Sequence, residues 1–183
     1  MNKASGWRWT GMRGLGLAVA ALAGCSTVTP PSTASHVDVA RYAGKWYEVS
    51  KFPVIFQRGL VAVTAEYTLR DDGSVRVFNR GLKNSFDGKE SSILGVATVA
   101  DKATNSKLKV RFDPFPVCLF SADYWIIEVG TDYEYAVVSN PSKKYLWILS
   151  RTPHMEQAAY DGIVVRLNAQ GFETEKLELT PQP

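Results

Sequence analysis

Few side chains in this sequence could form or break a covalent bond, and their spacing does not gather them into a reaction centre. Cys118 is the candidate nucleophile, and a thiol does such work only when a base or cation beside it favours the thiolate. The histidines offer no obvious partner: His36 lies in a polar stretch near the amino end, and His154 opens a helical pattern far from the thiol. No His, Cys, Asp and Glu cluster has metal-ligand spacing, and there is neither a glycine-rich phosphate loop nor a serine elbow. The sequence therefore implies no metal, no cofactor and no catalytic residue. A Cys118 enzyme is kept as the rival reading.

The chemistry that the pattern does offer is recognition. Gly44-Lys45-Trp46-Tyr47-Glu48-Val49 opens a strand, with a glycine two places before a large indole. That glycine lets the backbone pass close to the buried ring. Far downstream, Arg151 leaves the apolar run Tyr145-Leu146-Trp147-Ile148-Leu149-Ser150. A guanidinium there can lie on the face of Trp46 while donating to loop carbonyls, an arrangement worth about 0.5 to 2 kcal/mol. Such a pair would close the floor of a cup. The alternative, an ordinary core tryptophan and an ordinary surface arginine, stays open on these residues alone.

Short strands separated by turn residues must position the pair. Val61, Val63, Ala65, Tyr67 and Leu69 alternate with polar or small residues, Asp71-Asp72-Gly73 turns the chain, and Val75 and Val77 begin the return strand. Leu108, Val110 and Phe112 alternate with Lys107, Lys109 and Arg111, which puts one face inward and one in water. With strands at 93–100, 122–129, 135–139 and 145–150, the total is about eight, as in a small antiparallel up-and-down barrel able to hold one ligand. The last strands are apolar on both faces and need an outer cover. The stripe Met155, Ala159, Tyr160, Ile163, Val164 and Leu167 supplies it as a helix, with Thr152 as cap, Pro153 at the first position and Gly171 as stop. Residues 172–179 alternate and can add a short edge strand. Asp38 to Tyr42 reads as a helical turn covering one end.

The amino-terminal part is of another kind. Lys3, Arg8 and Arg13 precede an apolar run, Leu15 to Ala23, too short to span a bilayer comfortably, which is the pattern of a secretory signal. Residues 26–35 are rich in Ser, Thr and Pro and read as a tether. The division is thus 1–24 signal, 25–37 tether and 38–183 one domain. The whole chain has 21 Lys and Arg against 18 Asp and Glu. Its excess of positive charge belongs to the leader, so the domain is balanced and gives no case for nucleic acid.

Three sets of residues resemble known patterns. Leu22-Ala23-Gly24-Cys25 resembles the bacterial lipobox, which implies cleavage before Cys25, acylation of that cysteine, and anchorage on a membrane. Ser26 after it resembles the sorting default to the bacterial outer membrane, with the periplasmic face the usual side. Gly44-Lys45-Trp46-Tyr47, Thr131-Asp132-Tyr133 and Leu149-Ser150-Arg151, in that order and followed by the helix, resemble the signature regions of the lipocalin family, and its bacterial branch in particular. The resemblance runs from about Tyr42 to Leu179 and implies an eight-stranded barrel with one helix packed outside. It also implies that a small hydrophobic ligand, a fatty acid or lysophospholipid, is stored or transported in the interior. By the same resemblance, Gly44, Trp46 and Arg151 mark the closed end, and Tyr67, Asn79, Phe112 and Trp125 fall where relatives line the cavity. Trp125 competes with its neighbour Tyr124, since only one of them can point inward. A structural envelope protein with a filled barrel is a further alternative. The apolar stretch Pro114 to Phe120 could meet membrane, a second copy of the chain in a homodimer, or the emerging ligand.

Overall fold

The computed structural model describes residues 28–113 and 119–183. Cys25, the signal and Cys118 lie outside them. Helix α1 is Val39–Tyr42, capped by Asp38, whose carboxylate accepts from the amides of Ala40 and Arg41. The strands follow as β1 (Gly44–Lys51), β2 (Leu60–Leu69), β3 (Val75–Lys83), β4 (Glu90–Val99), β5 (Lys107–Phe112), β6 (Ala122–Val129), β7 (Tyr135–Ser139) and β8 (Leu146–Ser150). Each is antiparallel to the next, and β1 pairs with both β8 and β2, which closes the cylinder. Helix α2 (Gln157–Ala169) and the two-residue strand β9 (Glu178–Leu179), added to the β1 edge, complete the chain.

Alternation along each strand separates two cores. Val75, Val77, Ala97, Leu108, Val110, Ile126, Ala136, Val138 and Leu149 meet Trp46 and Tyr67 inside the barrel. Phe52, Ile127, Val137, Leu146 and Ile148 point outward and are covered by Ile163 and Leu167 of α2 and by Phe172. The strands nearest α2 are apolar on both faces for this reason. A bulge between Ile126 and Glu128 shifts the register with β7 and puts Ile127 and Glu128 both on the outer side, where Glu128 meets Arg166 of α2, before Val129 turns inward again.

Two expectations are corrected, and the short edge strand expected within residues 172–179 is present as β9. The helix begins at Gln157, with Glu156 at its cap position. Thr152 and Pro153 precede it, and the Thr152 hydroxyl donates to the His154 carbonyl instead. Residues 31–37 of the expected tether are held to the barrel: Pro31 is buried, the Ala34 amide donates to Ile126 O at 3.0 Å, and the Val37 amide to Thr104 O at 2.7 Å. The first contact occupies a β6 carbonyl that β5 leaves unpaired, and the second ties the segment to the β4–β5 connection. The segment 172–179 contributes only the two residues of β9 as strand, preceded by a short 3-10 turn.

Candidate functional site

The barrel is shut at one end by Trp46 and Arg151. Trp46 is fully buried, with its indole N–H donating to Tyr42 O at 2.8 Å. The Arg151 guanidinium carbon lies 3.7 Å from the centroid of the ring. Its donors reach Arg41 O at 2.7 Å, Lys45 O at 3.0 Å, Tyr133 O at 3.2 Å and Tyr42 O at 3.3 Å. One planar fork thus ties α1, the start of β1 and the β6–β7 connection together, a task the point charge of a lysine cannot perform. Gly44 is needed here for a different reason from the one expected: its φ is +96°, and an added Cβ would lie 3.3 Å from Arg151 Nη1. Gly44→Ala should cost about 1 to 2 kcal/mol through the left-handed backbone alone. Urea unfolding at constant pH checks this.

Above the plug, three tyrosines form a floor. The Tyr124 hydroxyl bonds to that of Tyr42 at 2.7 Å and to that of Tyr67 at 2.9 Å. Burial pushes Tyr67 up to about 12 and Tyr42 and Tyr124 well above the ordinary phenol value, so the floor stays neutral at physiological pH. Two hydrogen bonds use two of the three hydroxyl protons, which leaves one donor for a further partner. Beneath lies an apolar cavity of about 20 Å³ between Val37, Tyr67, Val77, Leu108 and Ile126. It has room for little more than a water-sized sphere, so a hydrocarbon chain would have to lie above the floor.

The inward positions of the upper half are less covered. Phe112 and Trp147 pack on the inner core yet are half-buried, as are Ile93 and Asn79 on the inward registers of β4 and β3. Asn79 Oδ1 is buried and has no hydrogen-bond partner. Gly95 lies opposite Phe112, whose Cδ1 would be 2.8 Å from an added Cβ. The missing side chain is what lets that ring lie against the wall.

A polar cluster braces the wall between β1 and β2, which pair directly only from Gly44 to Tyr47. The buried Glu48 carboxylate accepts from Thr180 Oγ1 at 2.6 Å and Gln57 Nε2 at 2.7 Å, and Trp147 Nε1 donates to Gln57 Oε1 at 2.9 Å. The tail closes the gap: the Thr180 amide donates to Val49 O, the Ala62 amide to Pro181 O, and Gln182 Nε2 to both Glu48 O and Val63 O. Burial raises the Glu48 carboxyl above its ordinary value, opposed by the bonds from Thr180 and Gln57 and by the charge of Lys51. The folded chain therefore keeps this proton over a range where the unfolded chain has lost it. The resulting stabilisation is complete below the ordinary glutamate value and is lost as pH rises through the raised one. Glu48→Gln should flatten that fall, so urea midpoints from mildly acidic to neutral pH should drop less in the variant than in the parent.

Of the residues singled out in the sequence, Trp46, Arg151 and Gly44 meet at the closed end, and Tyr67, Asn79 and Phe112 lie on inward registers. Trp125 does not: it packs on the outer core, with Lys107 Nζ 4.6 Å from its ring centroid, and Tyr124 turns inward in its place. Sequence reasoning left Tyr124 open against Trp125, read Tyr42 only as part of a turn covering one end, and missed Trp147 and Glu48 as interior residues. Register parity with Leu149 and Trp46 was the available signal for Trp147 and Glu48. Among the described residues, no group of three or more His, Cys, Asp and Glu could hold a metal ion.

Comparison with known proteins places this geometry. A family model described as a lipocalin-like domain matches residues 37–182. Temperature-induced lipocalin-1 of Arabidopsis thaliana is 42% identical over 151 residues, 80% of each chain. Outer membrane lipoprotein Blc of Escherichia coli strain K12 is 37% identical over 163 residues, covering 87% of this chain and 89% of that protein. The crystal structure of lobster apocrustacyanin A1 superposes with a TM-score of 0.62 at 18% identity, over 87% of this chain and 93% of that one, a likeness of fold.

Proposed function

Because the chain belongs to the lipocalin family, whose members generally bind small hydrophobic ligands, we propose that it stores or transports a fatty acid or lysophospholipid in the upper barrel. The carrying observation is the half-buried inner wall of Phe112, Ile93 and Trp147 above a neutral tyrosine floor. Each methylene placed against that wall contributes about 0.8 kcal/mol. The orphaned Asn79 Oδ1 can accept from a hydroxyl or protonated carboxyl of the ligand. Acylation of Cys25 anchors the barrel on the bacterial outer membrane, on its periplasmic side. The Leu22 to Cys25 run and the similarity to a protein named an outer membrane lipoprotein support this. The role is binding and release, with no covalent step assigned to Cys118.

A brominated stearic acid tests the reading, since bromine on the chain quenches indole emission on contact. Quenching should saturate stoichiometrically and fall in Trp147→Phe. Unsaturable quenching, or quenching indifferent to that substitution, would count against an interior site.

A further inference from the structure

The connection between β1 and β2 is built inside out. Residues Ile55–Gln57 form one 3-10 turn, and its polar residue is the one fastened inward, Gln57 being held by Glu48 and Trp147. Ile55 and Phe56 are thereby turned to solvent, 86% and 69% exposed. They are not isolated. Phe86 in the β3–β4 connection, Leu119 and Phe120 in the β5–β6 connection and Tyr145 in the β7–β8 connection are also exposed, Leu119 by 68% and Phe120 by 72%. These four connections form the end opposite Arg151. Among the described residues, the closed-end connections 70–74, 100–106 and 130–134 expose no large apolar side chain.

We infer that this rim is a docking surface for a phospholipid bilayer, applied mouth-first. Apolar groups on separate loops around an opening suit insertion to the level of the headgroup and acyl boundary, about 5 to 10 Å deep. Cations stand where headgroup phosphates would be: Arg58 follows Phe56, Lys83 and Lys89 flank Phe86, and Lys144 precedes Tyr145. Lys83 closes β3 and the other three lie on the connections; all four are exposed, form no ion pair among the described residues, and face Asp87, Asp113 and, at the start of β4, Glu90, whose carboxylate is paired with Arg80. The same charges disfavour a second copy set rim to rim, because like charges would then meet. The amino-terminal segment also joins the fold on this side: Ser32 Oγ donates to Gln170 Oε1, and the Gln170 carbonyl accepts from Lys143 Nζ of the β7–β8 connection. The described chain thus starts on the side of the mouth, which in this docking opens onto hydrocarbon and not onto water.

The test uses the full chain in vesicles of phosphatidylethanolamine and phosphatidylglycerol doped with a nitroxide lipid. In a Cys25→Ser, Cys118→Ser background, Phe56→Cys, Phe86→Cys and Asp101→Cys each carry a fluorophore. The labels at 56 and 86 should be quenched by the lipid and the closed-end label at 101 should not. Adding Ile55→Asp should reduce quenching at 86 while circular dichroism stays unchanged. Rim labels quenched no more than the label at 101 would overturn the inference, as would indifference to Ile55→Asp. Energy transfer between labels on two copies in place of lipid quenching would overturn it in favour of a dimer. Stearate uptake is scored separately, so failure of the rim leaves the ligand reading standing, and the reverse.

Discussion

Trp46→Ala is expected to destabilise the fold by about 3 to 5 kcal/mol, the range for removing a fully buried large aromatic. The loss has several parts that share one cause. The ring is the face on which Arg151 lies and the neighbour on which Tyr42 packs at 5.1 Å between centroids, so its removal leaves a void under both. The Tyr42 carbonyl loses its indole donor at the same time. Because Arg151 joins three separate segments, the damage should spread: amide hydrogen exchange should rise in α1 and in the β6–β7 connection as well as at β1. Urea unfolding gives the magnitude, and a cost under 1 kcal/mol would show that the plug is not a structural keystone. Arg151→Lys should lie between, keeping a charge near the ring and losing the fork.

Ile93→Trp should weaken acyl-chain binding roughly fiftyfold, since an indole in the upper barrel displaces about three methylenes at 0.8 kcal/mol each. Ile93 suits the purpose because it is half-buried on the inward register opposite Asn79, one residue from the exposed, outward Leu94. A larger side chain there enters the opening without driving into the packed floor. Leu94→Trp is the control on the same strand and should bind as the parent does. Titration with a fluorescent fatty acid measures both.

The barrel was legible because a strand that has water on one side must alternate, and β5 does so without exception from Lys107 to Phe112. The outer helix was legible from the double-sided hydrophobicity of β8, which demands a cover. Its start was not, because Thr152 and Pro153 carry helix-start chemistry in a turn that spends the threonine hydroxyl elsewhere. Tyr124 and Trp125 could not be sorted by type, both being large aromatics. The bulge after Ile126 adds to the difficulty, since it breaks the parity with β7 that would otherwise decide. The Glu48 cluster was beyond local reading for a simpler reason: its partner Thr180 is 132 residues away and arrives only when the tail is laid across the seam. The ground for glycine at position 44 differs from the one its spacing to Trp46 suggests, being its φ of +96° and the nearby guanidinium.

Native mass spectrometry of the full chain after exposure to a bacterial lipid extract tests the central claim most directly. The account predicts one acyl lipid retained per folded parent chain and none on Ile93→Trp. A folded parent that retains no lipid, or a variant that retains it equally, would contradict an interior acyl-chain site.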